Sequence, residues 1–274
     1  MATIGLVAAI TAVVLFGPLG LLMIGGAVWG ATRSGGHTSG RAVIRALGAR
    51  PLGYWEAPDL HTLVQGLASR AGLRGRPALA LLPDRMLNAL ASGRDDDGVV
   101  AISPGLLRAL DRRQLAGVMA HEISHIAAGD LRIMRVAHVL ARGTQSLTTI
   151  GTIGLLLFGP GAIGGGFSTL TILAVLWAPS LATLLLLALS RSREYQADAD
   201  AVALTNDAEG LAQALNVLDQ HAGAAWEAAH PRRSMPAEWL RTHPTTAKRV
   251  ERLRQLHLER QQLSRPDGPY RLAA

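Results

Sequence analysis

The chain has 274 residues, 49% of them hydrophobic, no cysteine and a formal net charge of +7. That length fits one soluble domain together with membrane spans, and the lack of cysteine excludes disulfides and agrees with a reducing compartment. A basic balance points to nucleic acid in some chains. Here the arginines flank uncharged apolar segments, which is a simpler cause, so no nucleic-acid partner is expected.

Residues 2–32 carry no charged side chain. They fit one long helix kinked at Pro18, or two short limbs turning at Gly17-Pro18-Leu19-Gly20; each limb would be too short to span comfortably. No basic region precedes the apolar run, as a cleaved signal peptide requires. One uncleaved transmembrane segment over 1–32 is expected. Residues 33–58 read as a Gly- and Arg-rich linker. A helix is predicted from Asp59, as N-cap, to about Ala71. Residues 78–82 fit a strand, and 87–91 and 98–103 fit two more, joined by the turn Gly93–Gly98. Residues 99–102 (VVAI) fit an exposed edge, to which an extended peptide adds through main-chain hydrogen bonds; a buried sheet strand with no ligand is the alternative.

Ser103-Pro104 opens a short helix as N-cap and first residue. Asp111 with Gln114 three residues on resembles a capping box for a helix over 112–128. That helix carries His121-Glu122-Ile123-Ser124-His125. Positions i and i+4 share a helix face, so His121 and His125 offer two imidazoles to one Zn²⁺. Glu122 beside them is placed to take a proton from a metal-held water. Asp111, Arg112 and Arg113 before the motif, and Asp130 and Arg132 after it, keep this helix in or near water, because a charge at bilayer depth costs several kcal/mol.

Residues 143–190 again carry no charge. Residues 144–166 and 170–189 read as two spans forming a hairpin, with a turn near 163–168. Arg33, Arg41, Arg45 and Arg50 follow the first apolar segment; Arg132, Arg135 and Arg142 precede the hairpin, and Arg191 and Arg193 follow it. The positive-inside rule then places the N-terminus and the 163–168 turn outside and the rest of the soluble chain in the cytoplasm. After the hairpin, Glu194 and Asp198 lie one turn apart on one helix face. Glu194 is expected to complete a His₂Glu set, with Asp198 accepting from a ligand imidazole; a surface helix whose acids match nearby arginines is the alternative. A hairpin starts and ends on one membrane face, so it returns Glu194 beside the histidines. Further helices are predicted at 194–205, 209–220 and 245–258, with 223–242 irregular and 264–274 a loose tail.

Six segments in order now carry a resemblance: RAGLRGRPALALLPD (70–84), NALASG (88–93), VVAISPGLLRAL (99–110), LAGVMAHEISHIAAGD (115–130), SREYQADADAVAL (192–204) and THPTTAKRVERL (242–253). The chain resembles the HtpX family of membrane zinc metalloproteases, relatives of the Ste24-type prenyl-protein endopeptidases. The resemblance implies a mainly α fold with a small β-sheet, a zincin-like metalloprotease domain attached to transmembrane helices. It implies one zinc per chain on His121, His125 and Glu194, with Glu122 as general base, in a multi-pass protein of the cell (inner) membrane. Its partners would be the lipid bilayer and membrane or unfolded protein substrates. His243, in Thr242-His243-Pro244, resembles a family position near the metal, where an imidazole donates to the oxyanion; a plain surface histidine is the alternative. Arg249 ties this segment to the site or faces solvent. The first part of the chain lacks a clear match, since typical members carry two clear spans there.

The division expected is thus a transmembrane segment (1–32), a linker (33–58), a first catalytic part (59–142), a hairpin (143–190), a second catalytic part (191–263) and a tail (264–274). The rival readings are a processing protease for a lipidated or defined peptide and a silent membrane scaffold holding structural zinc. Glu122 weighs against the scaffold, because a structural zinc site needs no base.

Overall fold

The computed structural model describes residues 1–34, 40, 42, 46–83, 87–158, 169–229 and 244–263. They fall into two units, one drawn from 1–37 and 131–192, the other from 38–130, 193–238 and 243–274.

The first unit is helical. Helix α1 (Ala2–Phe16) ends at Gly17, whose φ of 59° is a left-handed conformation that glycine adopts freely, and α2 (Pro18–Ser34) starts at once. A Cβ on Gly20 would clash with the Ala12 carbonyl oxygen, so α2 folds back in backbone contact with α1. Residues 2–32 are therefore two helices, not the single segment expected. A proline alone kinks a helix, but glycine at positive φ directly before it reverses the chain. The next helix of this unit belongs to α6 (Asp130–Phe158) and the last to α7 (Thr169–Thr205). Gly151 lies beside Val175, while Leu140 shares a cluster with Leu185, Leu186 and Leu189, so these two helices pack antiparallel. The 163–168 turn lies outside the described residues.

Buried and half-buried hydroxyls on α6 satisfy themselves. Thr144, Thr148 and Thr152 donate to the carbonyls four residues back at 2.9, 3.0 and 2.8 Å. That is how polar side chains are tolerated among apolar neighbours. The outward faces carry Leu22, Trp29, Leu157, Leu176 and Trp177, all exposed. Among the described residues one stretch, Val175–Thr205, is long and apolar enough to cross a membrane.

The second unit builds on a four-stranded sheet ordered β1-β2-β4-β3: β1 (Arg50–Pro51), β2 (Ala78–Leu81), β3 (Ala89–Ser92) and β4 (Val99–Ile102). Strand β2 runs parallel to β4 with Ala78 opposite Val99, and β3 runs antiparallel to β4 with Ala89 opposite Ile102. All four residues of β4 are buried, so 99–102 is central and not the edge expected; an all-apolar run marks a strand covered on both faces. The edge next to it is β3. The segment taken as a linker supplies β1 and a 3₁₀ turn, Tyr54–Glu56. Two residues are too few for a periodic signal, and Pro51 is tolerated because β1 is an edge.

Helix α3 (Pro58–Arg70) starts at Pro58 with Ala57 as N-cap, so Asp59 is in its first turn rather than capping it. Ser103 does cap α4 (Pro104–Ala109): its hydroxyl accepts from Leu106 N at 3.2 Å and also from Asn88 N at 3.1 Å. Asp111 and Gln114 form the capping box of α5 (Arg112–Ala127), with bonds of 2.8 and 3.1 Å. Helix α8 (Ala208–Ala229) crosses α5 closely: a Cβ on Gly117 would lie 2.9 Å from Leu211 Cα. Helix α8 also continues through 223–229, which the sequence reading left irregular. The core joins Val64 and Leu67 of α3, Val100 and Ile102 of β4, Met119 and Ile123 of α5, Leu211 and Leu215 of α8, and Leu253 of α9 (Thr246–Leu263). Residues 194–205 are the end of the 37-residue α7 rather than a separate helix.

Candidate metal centre

Helix α5 buries Met119, Ala120 and Ile123 against the core and turns His121 and His125 to another side. The two rings lie 4.7 Å apart, nearly perpendicular, with their Nε2 atoms 3.2 Å from each other. Glu194, near the end of α7, reaches the same point. Its Oε2 is 3.6 Å from His121 Nε2 and its Oε1 is 3.9 Å from His125 Nε2. The three side chains each offer one donor atom, all within 4.8 Å of one another.

These distances fit a metal ion. Nitrogen and oxygen ligands about 2.1 Å from a tetrahedral Zn²⁺ are about 3.4 Å from each other. The donor types agree too, two imidazole nitrogens and one carboxylate, with nothing soft among them. The cluster is rich in negative charge: His121, Glu194 and Asp198 are 8%, 8% and 1% exposed, so bulk water does little to compensate it. Burial opposes a charge on His121, but hydrogen bonds to Asp198 and Glu194 outweigh it and raise its pKa to about 9.

Each imidazole is braced from behind. His121 Nδ1 lies 3.0 Å from Asp198 Oδ1. Arg249 of α9 grips Asp198 with two bonds, Nε to Oδ2 at 2.8 Å and Nη2 to Oδ1 at 2.6 Å, and its Nη1 is 3.4 Å from Glu194 Oε2. Burial alone would raise the Asp198 pKa, yet the bonds from Arg249 and His121 hold it below the ordinary carboxylate range. Burial likewise disfavours the charge on Arg249, and Asp198 more than restores it, raising its pKa. His125 Nδ1 lies 2.6 Å from Asp130 Oδ2, and Arg193 Nε donates to Asp130 Oδ1 at 2.5 Å. With both Nδ1 atoms occupied, both Nε2 atoms face the common point.

The structure thus brings together His121, His125, Glu194 and Asp198, and of the two readings of Arg249 it favours the tie to the site. Glu122 follows His121 on α5, half-buried, and its charge acts on Arg249. His243 lies outside the described residues. The sequence reads Asp130 only as a charge after the histidine helix that keeps it near water, and Arg193 only as a charge flanking an apolar segment, so neither stands out as part of the site. The available signal was Gly129, a helix stop directly before an acidic residue five positions after His125.

The sequence model of Peptidase family M48 matches residues 54–257. The chain belongs to peptidase family M48. Its M48 relatives include the protease HtpX homologue of Pyrococcus furiosus, 38% identical over 232 residues, covering 79% of this chain and 80% of that protein. The homologue from Aquifex aeolicus is 35% identical over 236 residues, covering 80% and 78%. Among solved structures, Ste24p from S. mikatae is similar with a TM-score of 0.48 and 20% identity over 75% of this chain; the match spans 51% of that longer chain. As an M48 member the chain is a metallopeptidase, mainly helical with a small sheet, and its His121-His125-Glu194 cluster is compatible with zinc.

Proposed function

We propose that this M48 metallopeptidase is a multi-pass membrane zinc endopeptidase, with one Zn²⁺ on His121, His125 and Glu194, that cleaves membrane or unfolded proteins at the cytoplasmic face. The observation that carries this reading is the convergence of three donor atoms within 4.8 Å from helices far apart in sequence. His121, His125 and Glu194 would hold the zinc, which would supply polarisation of the scissile carbonyl and a lowered pKa for the attacking water. Glu122 takes the proton of that water and passes it to the leaving amine. Strand β3, an edge of the sheet among the described residues and packed on α5, takes an extended peptide by main-chain hydrogen bonds, which gives weak sequence preference. His243 donates to the oxyanion as charge develops there. The bilayer reading rests on Val175–Thr205, on the outward apolar faces of α2, α6 and α7, and on the arginines flanking them.

The test is metal analysis joined to hydrolysis of casein by the full chain purified in detergent. One zinc per chain with casein cleavage that stops on chelation supports the proposal. Zinc without cleavage of casein or of any membrane protein points instead to the scaffold reading. Comparing the membrane proteomes of cells carrying the native chain and Glu122→Gln would then name the substrates, as proteins that accumulate only with the variant.

A further inference from the structure

Asp130 is 5% exposed. A carboxylate that far from water must be partnered, and both its oxygens are. Oδ2 lies 2.6 Å from His125 Nδ1, and Oδ1 accepts from Arg193 Nε at 2.5 Å. The chain is shaped to reach this contact. Gly129, at φ 65°, turns it between α5 and α6, so Asp130 opens α6 beneath the ring of a histidine five residues earlier. Arg193 directly precedes Glu194. One carboxylate therefore holds the imidazole of one candidate ligand and the neighbour of another.

We propose that Asp130 and Arg193 are positioning residues of the metal centre, a proposal that rests on the reading of His121, His125 and Glu194 as ligands. Asp130 holds His125 in the tautomer protonated at Nδ1, so that Nε2 is free to bind. Arg193 fixes the Asp130 carboxylate and, through the backbone, the register at which Glu194 arrives. The arrangement repeats the one behind His121, where Asp198 holds the ring and Arg249 holds Asp198. Two imidazoles, two carboxylates and two arginines are paired one to one. A buried Asp–Arg pair that served only packing would have no reason to spend one carboxylate oxygen on the ligand ring.

The full chain in detergent tests this by zinc affinity in chelator competition and by the visible spectrum of the cobalt(II)-loaded protein, which reads ligand geometry without catalysis. Asp130→Ala is expected to weaken zinc roughly 10- to 100-fold, the usual loss for a group that orients a ligand, and to shift the cobalt bands. Asp130→Asn keeps an acceptor for Nδ1–H and should recover part of the affinity. Asp130→Ala with native zinc affinity and native cobalt bands overturns the proposal. Should that variant fail to fold, Arg193→Gln reads the same chain of contacts: weaker zinc with shifted bands supports the proposal, and native values overturn it. Native zinc binding by His125→Ala would instead overturn the ligand assignment beneath it.

Discussion

Arg249 donates from Nη2 to Asp198 Oδ1 at 2.6 Å, across 51 positions of sequence, and Asp198 in turn lies 3.0 Å from His121 Nδ1. The last described helix is thereby tied to His121 through a carboxylate outside the three converging donors. Removing a ligand and removing its brace should differ in degree. Glu194→Ala is expected to lose zinc, whereas Asp198→Ala weakens it by roughly 10- to 100-fold. Metal analysis across a chelator series separates the two; full zinc in Glu194→Ala and none in Asp198→Ala would reverse the roles.

Glu122→Gln should keep zinc and fold normally, since Glu122 is outside the cluster of converging donors. Its activity should fall by at least about 10²-fold, the scale of general-base catalysis. Casein hydrolysis by the purified variant at native rate would remove Glu122 from the mechanism.

Gly117→Val places a side chain where α5 and α8 touch, 2.9 Å from Leu211 Cα. The helix itself gains a few tenths of a kcal/mol from losing glycine, but overpacking costs about 1–3 kcal/mol. A net loss of stability is expected, together with weaker zinc, because His121 sits one turn further along α5. An unchanged unfolding midpoint would show that α8 yields without cost.

Asp207, directly before α8, ties that helix to α5. It is paired with Arg113, whose Nη2 donates to Oδ1 at 2.7 Å, and it also accepts from Gly210 N at 2.9 Å. The bond from Arg113, against the opposing effect of burial, holds its pKa below the usual carboxylate value of 3.8. A depressed folded pKa adds stability that is present above the unfolded pKa and lost as pH falls through the folded one. Unfolding of Asp207→Asn followed from pH 6 to pH 2 should lack that part of the acid dependence. Parallel curves for the native and variant chains would argue against it.

The chain has no thiol of its own, so introduced cysteines report membrane sidedness cleanly. Ser69→Cys, on an exposed face of α3, should label from the cytoplasmic side and Ser168→Cys from the outside. Labelling of Ser168→Cys from the cytoplasm alone would refute the proposed orientation.

The legible parts of this fold were those whose physics is local. Asp111 and Gln114 announced their capping box, Ser103-Pro104 its helix start, and His121 and His125 their shared face, because each depends on residues within one turn. The strands at 78, 89 and 99 were visible as short apolar runs, but their order was not. Sheet position is settled by distant pairing, and so β4 was taken for an edge. The reversal at Gly17 was ambiguous because glycine before proline serves a kink or a turn equally. Asp130 and Arg193 are 63 positions apart, and nothing near either one shows that they meet. Arg193 looked like a membrane flank, and its position does not distinguish a flank from a brace.

That separation also sets an order in time. The chain is synthesised from its N-terminus, so His121, His125 and Asp130 leave the ribosome well before Arg193 and Glu194. At about 5–20 residues per second, the 63 positions between the two halves of the clasp take roughly 3–13 s to make, the interval in which the apolar stretches of α6 and α7 emerge. A nascent chain in that interval holds the two histidines of the cluster without Glu194, the donor that converges on them in the folded chain.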